Sequence, residues 1–148
     1  MHFSGVLFDK DGTLFDFHRT WGDWAYGFLM KLSGGDMLRM QVLSDAIEYD
    51  PGQKRFLPGS PAVAGTPGEI AERLLPHLPG TTPSALITHI NRTSAVAPTT
   101  EAAPLLPLLG RLRSKGIKLG CVTNDAEAPA RAHLKGAGIC DLLDYVVG

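Results

Sequence analysis

The 148-residue chain carries 14 Lys and Arg against 15 Asp and Glu, a formal charge of −1, which excludes both the basic footprint of a nucleic-acid binder and a polyacidic tail. With 44% apolar and 20% charged residues it has the composition of a globular protein, so disorder is excluded as its main state. Two cysteines, Cys121 and Cys140, are too few and too far apart for a disulfide or zinc framework, and they are expected to be buried thiols in a reducing cytoplasm.

Phe3 to Phe8 is apolar but interrupted by Ser4 and Gly5, with no cationic stretch before it, and does not read as a signal peptide. No run approaches the ~18 apolar residues of a membrane span, so a soluble protein is expected. Gly5-Val6-Leu7-Phe8 runs straight into the polar turn Asp9-Lys10-Asp11-Gly12-Thr13, the pattern of a buried parallel strand with functional groups at its carboxyl end. From Phe17 the period becomes helical: Phe17, Trp21, Trp24, Phe28 and Leu32 share one face, and Gly34-Gly35 ends the helix. Met37 to Ile47 predicts a second helix. Tyr49 to Pro61 reads as a loop with Lys54-Arg55-Phe56-Leu57 extended. Thr66-Pro67-Gly68-Glu69 combines a capping hydroxyl, a first-turn Pro and a Glu able to reach back, predicting a helix to about Leu75. Thr82-Pro83 starts another, with Leu86, Ile87 and Ile90 inward. Residues 17 to 96 thus read as all-helical. Leu105, Leu108, Leu109 and Leu112 predict a helix stopped by Lys115-Gly116, and Ile117 to Val122 a strand. Asp125 is positioned to cap a helix over Ala126 to Lys135, and Tyr145-Val146-Val147 starts a further strand. Strand and helix alternate at both ends of the chain, which predicts an α/β fold: a parallel Rossmann-like sheet of about three strands, with an α-helical insertion.

Chemistry concentrates at two strand ends. Asp9 and Asp11, one residue apart before Gly12-Thr13, can converge on a metal and a phosphoryl group because a turn releases them from the alternation of the strand. An Asp-rich surface turn is the bland alternative. Val122-Thr123-Asn124 repeats the architecture, delivering a hydroxyl and an amide just ahead of a helix N-terminus where a phosphate fits. Here simple helix capping is the alternative.

Asp9-Lys10-Asp11-Gly12-Thr13-Leu14 after an apolar strand resembles the first motif of the haloacid dehalogenase superfamily of phosphohydrolases. Gly120-Cys121-Val122-Thr123-Asn124 is similar to its second motif, and helices inserted after the first motif resemble the phosphoglycolate-phosphatase-like arrangement. The resemblance implies a core of residues 1–16 and 97–148 and a helical cap of 17–96. It implies a small phosphorylated substrate, Mg²⁺ as cofactor held by Asp9 and Asp11, Asp9 as nucleophile and Asp11 as acid and base. Thr123 and Asn124 would hold the phosphoryl oxygens.

The family pattern also has a Lys or Arg and an acidic motif after the strand corresponding to Tyr145-Val147. Neither is present, and Lys115 and Lys135 are poorly placed substitutes. The chain therefore reads as the front part of a larger enzyme, a poor catalyst alone, with an open first-strand edge through which it can self-associate. A non-catalytic partner-binding domain and a phosphomutase stay open as alternatives. An EF-hand fails because Leu14 and Thr20 stand where Gly and Glu are required. A cysteine phosphatase fails because Glu127 stands where its loop needs Arg. His2, His18, His77, His89 and His133 show no metal-ligand spacing and read as surface or capping residues. Trp21 and Trp24 read as cap core, and Lys54-Arg55 as a solvated pair or a contact for an anionic leaving group.

Overall fold

A computed structural model describes residues 3–148, so His2 lies outside the described residues. In chain order the elements are β1 (Gly5–Asp9), α1 (Phe17–Leu32), α2 (Met37–Ala46), β2 (Tyr49–Asp50), β3 (Arg55–Phe56), α3 (Pro61–Ala64), α4 (Pro67–Leu74), α5 (Pro83–Ser94), α6 (Leu105–Ser114), β4 (Lys118–Val122), α7 (Glu127–Gly136) and β5 (Tyr145–Val147). The chain divides into two compact units, Met1–Thr20 with Ala95–Gly148, and Trp21–Ser94.

In the first unit β4 pairs in parallel with β1 on one side and β5 on the other, giving a three-stranded sheet in the order β1-β4-β5. Alternation along the strands sends Leu119, Cys121 and Val146 to one face, with Val6 and Phe8 packed against the same cluster. There they meet Leu105 and Leu109 of α6 and Ala130 and Leu134 of α7. A fully buried Leu contributes about 2 kcal/mol through burial, so Leu109, Leu119 and Leu134 make this face the stabilising one. Leu7 and Tyr145, both 71% exposed, lie in register on the other face across Gly120. A Cβ at Gly120 would stand 2.6 Å from Leu7 Cδ2, so glycine is what lets that side chain lie over the strand.

The chain leaves and re-enters this unit through a short stitched segment. Asp16 N–H donates to Thr100 O, Ala102 N–H to Leu14 O, and Thr100 N–H to Thr20 Oγ1. Pro104, at the cap position of α6, offers no side-chain bond, and Glu101 Oε2 instead accepts the Leu105 N–H at 3.0 Å. The cap of α7 corrects the sequence reading: Ala126, not Asp125, occupies that position, with no side-chain bond. Asp125 stands one residue earlier, where its carboxylate meets a buried cation described below. Pro129 is accommodated at the third helical position, where a backbone N–H has no intrahelical partner to lose.

The second unit is helical except for one hairpin, a further correction, since Tyr49–Asp50 pairs antiparallel with Arg55–Phe56. Asp50 Oδ1 accepts the N–H groups of Gly52 and Gln53, folding the intervening turn, and the Tyr49 and Phe56 rings pack 5.0 Å apart. Thr66 and Glu69 form the full reciprocal capping box at the start of α4. On α1 the buried face is Trp21, Ala25, Phe28 and Leu29. Relative to the predicted stripe it is rotated so that Trp24 lies at the margin, half-buried and stacked on Phe28 at 4.9 Å. Among the described residues no helix is long and apolar enough to cross a membrane.

Candidate active site

The register of the sheet brings the two motifs side by side. Asp9, the last residue of β1, is opposite Val122, the last of β4, so Asp11 and Thr123 both lie just beyond neighbouring strand ends. The first turn closes through Lys10, whose carbonyl accepts the N–H groups of Leu14 and Phe15, each at 3.0 Å. Gly12 sits at φ +84°, a conformation that disfavours a side chain, and donates its N–H to Phe15 O.

The two carboxylates acquire different surroundings from this turn. Asp9 is exposed, and its Oδ1 accepts the Lys10 backbone N–H at 2.7 Å. Asp11 is half-buried, and both its oxygens meet the Lys10 ammonium, at 2.9 and 2.8 Å. Lys10 itself is wholly buried, which a lysine tolerates only when paired. Its Nζ also lies 3.3 Å from Asp125 Oδ2, an ion pair without the direction of a good hydrogen bond, and 3.2 Å from His133 Nδ1. Burial pushes the Asp125 carboxyl above its ordinary range, while the Lys10 ammonium pulls against that shift. Cys121, on the buried face of β4, is pushed up to about 11, chiefly by burial, and is an inert thiol.

At the second strand end, Thr123 donates its N–H to Val147 O and accepts the Asp125 N–H at Oγ1, 3.1 Å away. With its oxygen held by that bond, the hydroxyl proton is left to donate elsewhere. Asn124 is exposed at the same turn.

Lys10 and His133 are the residues that the sequence reading missed. His133 is buried at 3% exposure, which corrects its assignment as a surface or capping residue. Both carried a signal. Val6, Phe8 and Lys10 alternate onto one side of the strand and its extension. Ala130, His133, Leu134 and Ala137 follow helical spacing. In the second unit Lys54 is engaged by Asp23 at 2.6 Å and lies over the Tyr26 ring. A groove of about 460 Å³ along α5, lined by Ser84, Thr88, His89 and Arg92, contains none of the motif residues.

The family model for haloacid dehalogenase-like hydrolases matches residues 3–148. The chain belongs to that family. Over 43 residues it is 54% identical to the phosphoglycolate phosphatase of Rhodospirillum rubrum, a match covering 29% of this chain and 18% of that protein. Its fold resembles L-2-haloacid dehalogenase from Xanthobacter autotrophicus, with a TM-score of 0.54 and 18% identity over 99% of this chain and 57% of that one. A phosphatase of the same family from Thermococcus onnurineus gives 0.52 and 22%, over 97% of this chain and 61% of that one. The chain thus spans about three-fifths of the length of these solved relatives.

Proposed function

We propose that this chain carries nucleophile, acid–base and phosphate-holding residues of a phosphomonoester hydrolase acting on a small phosphorylated metabolite. The observation that supports this most is the register of β1 against β4, which sets an exposed carboxylate beside a hydroxyl and an amide at adjoining strand ends. Asp9, with one oxygen fixed by the Lys10 N–H, attacks phosphorus and carries the phosphoryl group until water releases it. Asp11 protonates the leaving oxygen and later takes a proton from the attacking water. The Thr123 hydroxyl and the Asn124 amide hold the phosphoryl oxygens as charge shifts between them. Phosphoryl transfer needs the acid that Asp11 supplies, whereas displacement of halide does not, and that favours a phosphatase over a dehalogenase.

The described residues contain no cluster of three or more His, Cys, Asp or Glu side chains arranged to hold a metal. The hard oxygen donors of this turn nevertheless suit Mg²⁺, which commonly takes one or two protein carboxylates and completes its shell with water and substrate phosphate. The Asp9 carboxylate and the Asp11 backbone carbonyl would hold it. When bound it supplies positive charge that offsets repulsion between Asp9 and a phosphate dianion. In this reading residues 17–96 are the cap that selects the leaving group, in a cytoplasmic enzyme.

Assaying p-nitrophenyl phosphate hydrolysis with and without Mg²⁺ tests the proposal. Turnover should require the cation and disappear in Asp9→Asn, which keeps the shape of the side chain and removes the nucleophile. Wild-type turnover in that variant would sink the assignment. A second, non-catalytic reading rests on β1 being an edge strand beside the exposed Leu7 and Tyr145. That reading expects concentration-dependent self-association in sedimentation and no phosphatase activity.

A further inference from the structure

We infer that Lys10 is a positioning residue for Asp11, held in place from α7 by His133. This rests on the phosphatase reading for its functional meaning and on geometry for its substance. The Lys10 side chain is fully buried, so its ammonium has lost its water and must find its partners in the protein. Lys10 Nζ donates to the Asp11 carboxylate at 2.8 Å, meets His133 Nδ1 at 3.2 Å and forms an ion pair with Asp125 Oδ2 at 3.3 Å. These come from separate places in the chain, namely the first-motif turn, the loop after β4 and the last turn of α7.

Two features separate this arrangement from an incidental buried pair. The first is that one residue serves both motif carboxylates. Its backbone N–H binds Asp9 Oδ1 and its side chain binds both oxygens of Asp11, while its carbonyl closes the turn on Leu14 and Phe15. Movement of Lys10 therefore moves Asp9 and Asp11 relative to each other. The second is the identity of the far partner. His133 lies among the buried residues Ala130 and Leu134 on a helix packed to the sheet, so the imidazole is a rigid stop behind the ammonium. With Nδ1 accepting from Lys10, the imidazole proton resides on Nε2. A flexible Lys stem fixed only by Asp11 would follow that carboxylate. Fixed also by His133 and Asp125, it dictates where the carboxylate sits.

The test uses the full 148-residue chain, isotopically labelled, at one pH. Wild type should show His133 with an unprotonated, hydrogen-bonded Nδ1. In Lys10→Met that signature should vanish and the Asp11 carboxyl ¹³C resonance should move, while those of Asp36 and Asp45 in the other unit stay in place. If Lys10→Met does not fold, His133→Leu keeps the Lys10 and Asp11 charges and should still shift the Asp11 resonance. An Asp11 resonance unchanged in whichever variant folds overturns the inference, whatever the activity. Where wild type hydrolyses p-nitrophenyl phosphate, Lys10→Met should lower kcat at least tenfold with KM within twofold, and Lys10→Arg should recover part of it. Wild-type turnover that Lys10→Met leaves intact refutes the positioning role and spares the phosphatase reading. The expected resonance changes without any wild-type turnover uphold the placement of Asp11 by Lys10 and refute only turnover by these 148 residues alone.

Discussion

Two glycines of α1 make opposite predictions from the same substitution. Gly22 and Gly27 both lie within Phe17–Leu32, and replacing a glycine inside a helix by alanine ordinarily stabilises by about 0.5–1 kcal/mol. At Gly27 an added Cβ meets nothing within 4 Å, so Gly27→Ala should show that gain. At Gly22 the Cβ would overlap the carbonyl oxygen of Lys54, with the carbonyl carbon 3.3 Å away. The obstacle is backbone, so the hairpin must withdraw. Withdrawal strains the Tyr49 hydroxyl bond to Gly22 O, 2.7 Å long and buried, and pulls Lys54 from Asp23 and the Tyr26 ring. Overpacking costs about 1–3 kcal/mol and a lost hydrogen bond about 1 kcal/mol, against a helical gain of at most about 1 kcal/mol. Gly22→Ala should therefore destabilise by about 1–3 kcal/mol. Urea unfolding followed by far-UV circular dichroism compares both variants with wild type at equal protein concentration. The reasoning is refuted if Gly22→Ala raises the midpoint as Gly27→Ala does.

Asp144 should make stability sensitive to acid. Its carboxylate accepts the Leu119 N–H at 2.9 Å and pairs with Lys118 and Arg113, which together hold its pKa below the ordinary value of about 3.9. A depressed folded-state value stabilises at pH above about 4 and is lost as pH falls from there through the folded value. Wild type should thus exceed Asp144→Asn in urea midpoint at pH 6, with the gap closing towards pH 3; a gap independent of pH would discount the ion pairs. At the proposed site, Thr123→Val preserves volume and removes the donor, and turnover of a phosphomonoester should fall on the order of 10²-fold. Unchanged turnover and unchanged inhibition by phosphate would show that the second motif does not grip the phosphoryl group.

What the sequence disclosed was whatever is encoded within a few residues. The Thr66–Glu69 capping box, the Leu105 and Leu109 stripe, and the strands ending at Asp9 and Val122 are local patterns, each with a period or a cap that names its element. The hairpin was harder because its strands are two residues long, too short for alternation to register, and its stability comes from docking on Gly22. Asp125 was misread for a related reason. A carboxylate before a helix is a capping candidate locally, but here the attraction of a buried ammonium from a distant turn competes with the helix N–H groups. Lys10, flanked by two aspartates, shows its burial only when the strand alternation is carried one step beyond Phe8.

That one step bears on how two like carboxylates would take the different roles proposed for them. Asp9 and Asp11 are the same side chain one residue apart, so any division of labour must come from environment. Asp9 is exposed and receives a neutral N–H, which suits a group that must reach phosphorus; Asp11 is anchored by a full positive charge, which fixes where its carboxylate sits. The same geometry limits what Lys10 contributes. Its ammonium faces Asp11, Asp125 and His133 in the interior, and its side chain presents no surface to an incoming dianion. With the Asp11 and Asp125 carboxylates at one ammonium and the Asp9 carboxylate exposed beside them, the strand ends remain net negative when His133 is neutral. Like charges a few ångströms apart repel strongly where water is excluded. In the proposed reaction a cation that offsets this repulsion would be held on the solvent side, at Asp9, and the Lys10 ammonium supports the chemistry through Asp11 alone.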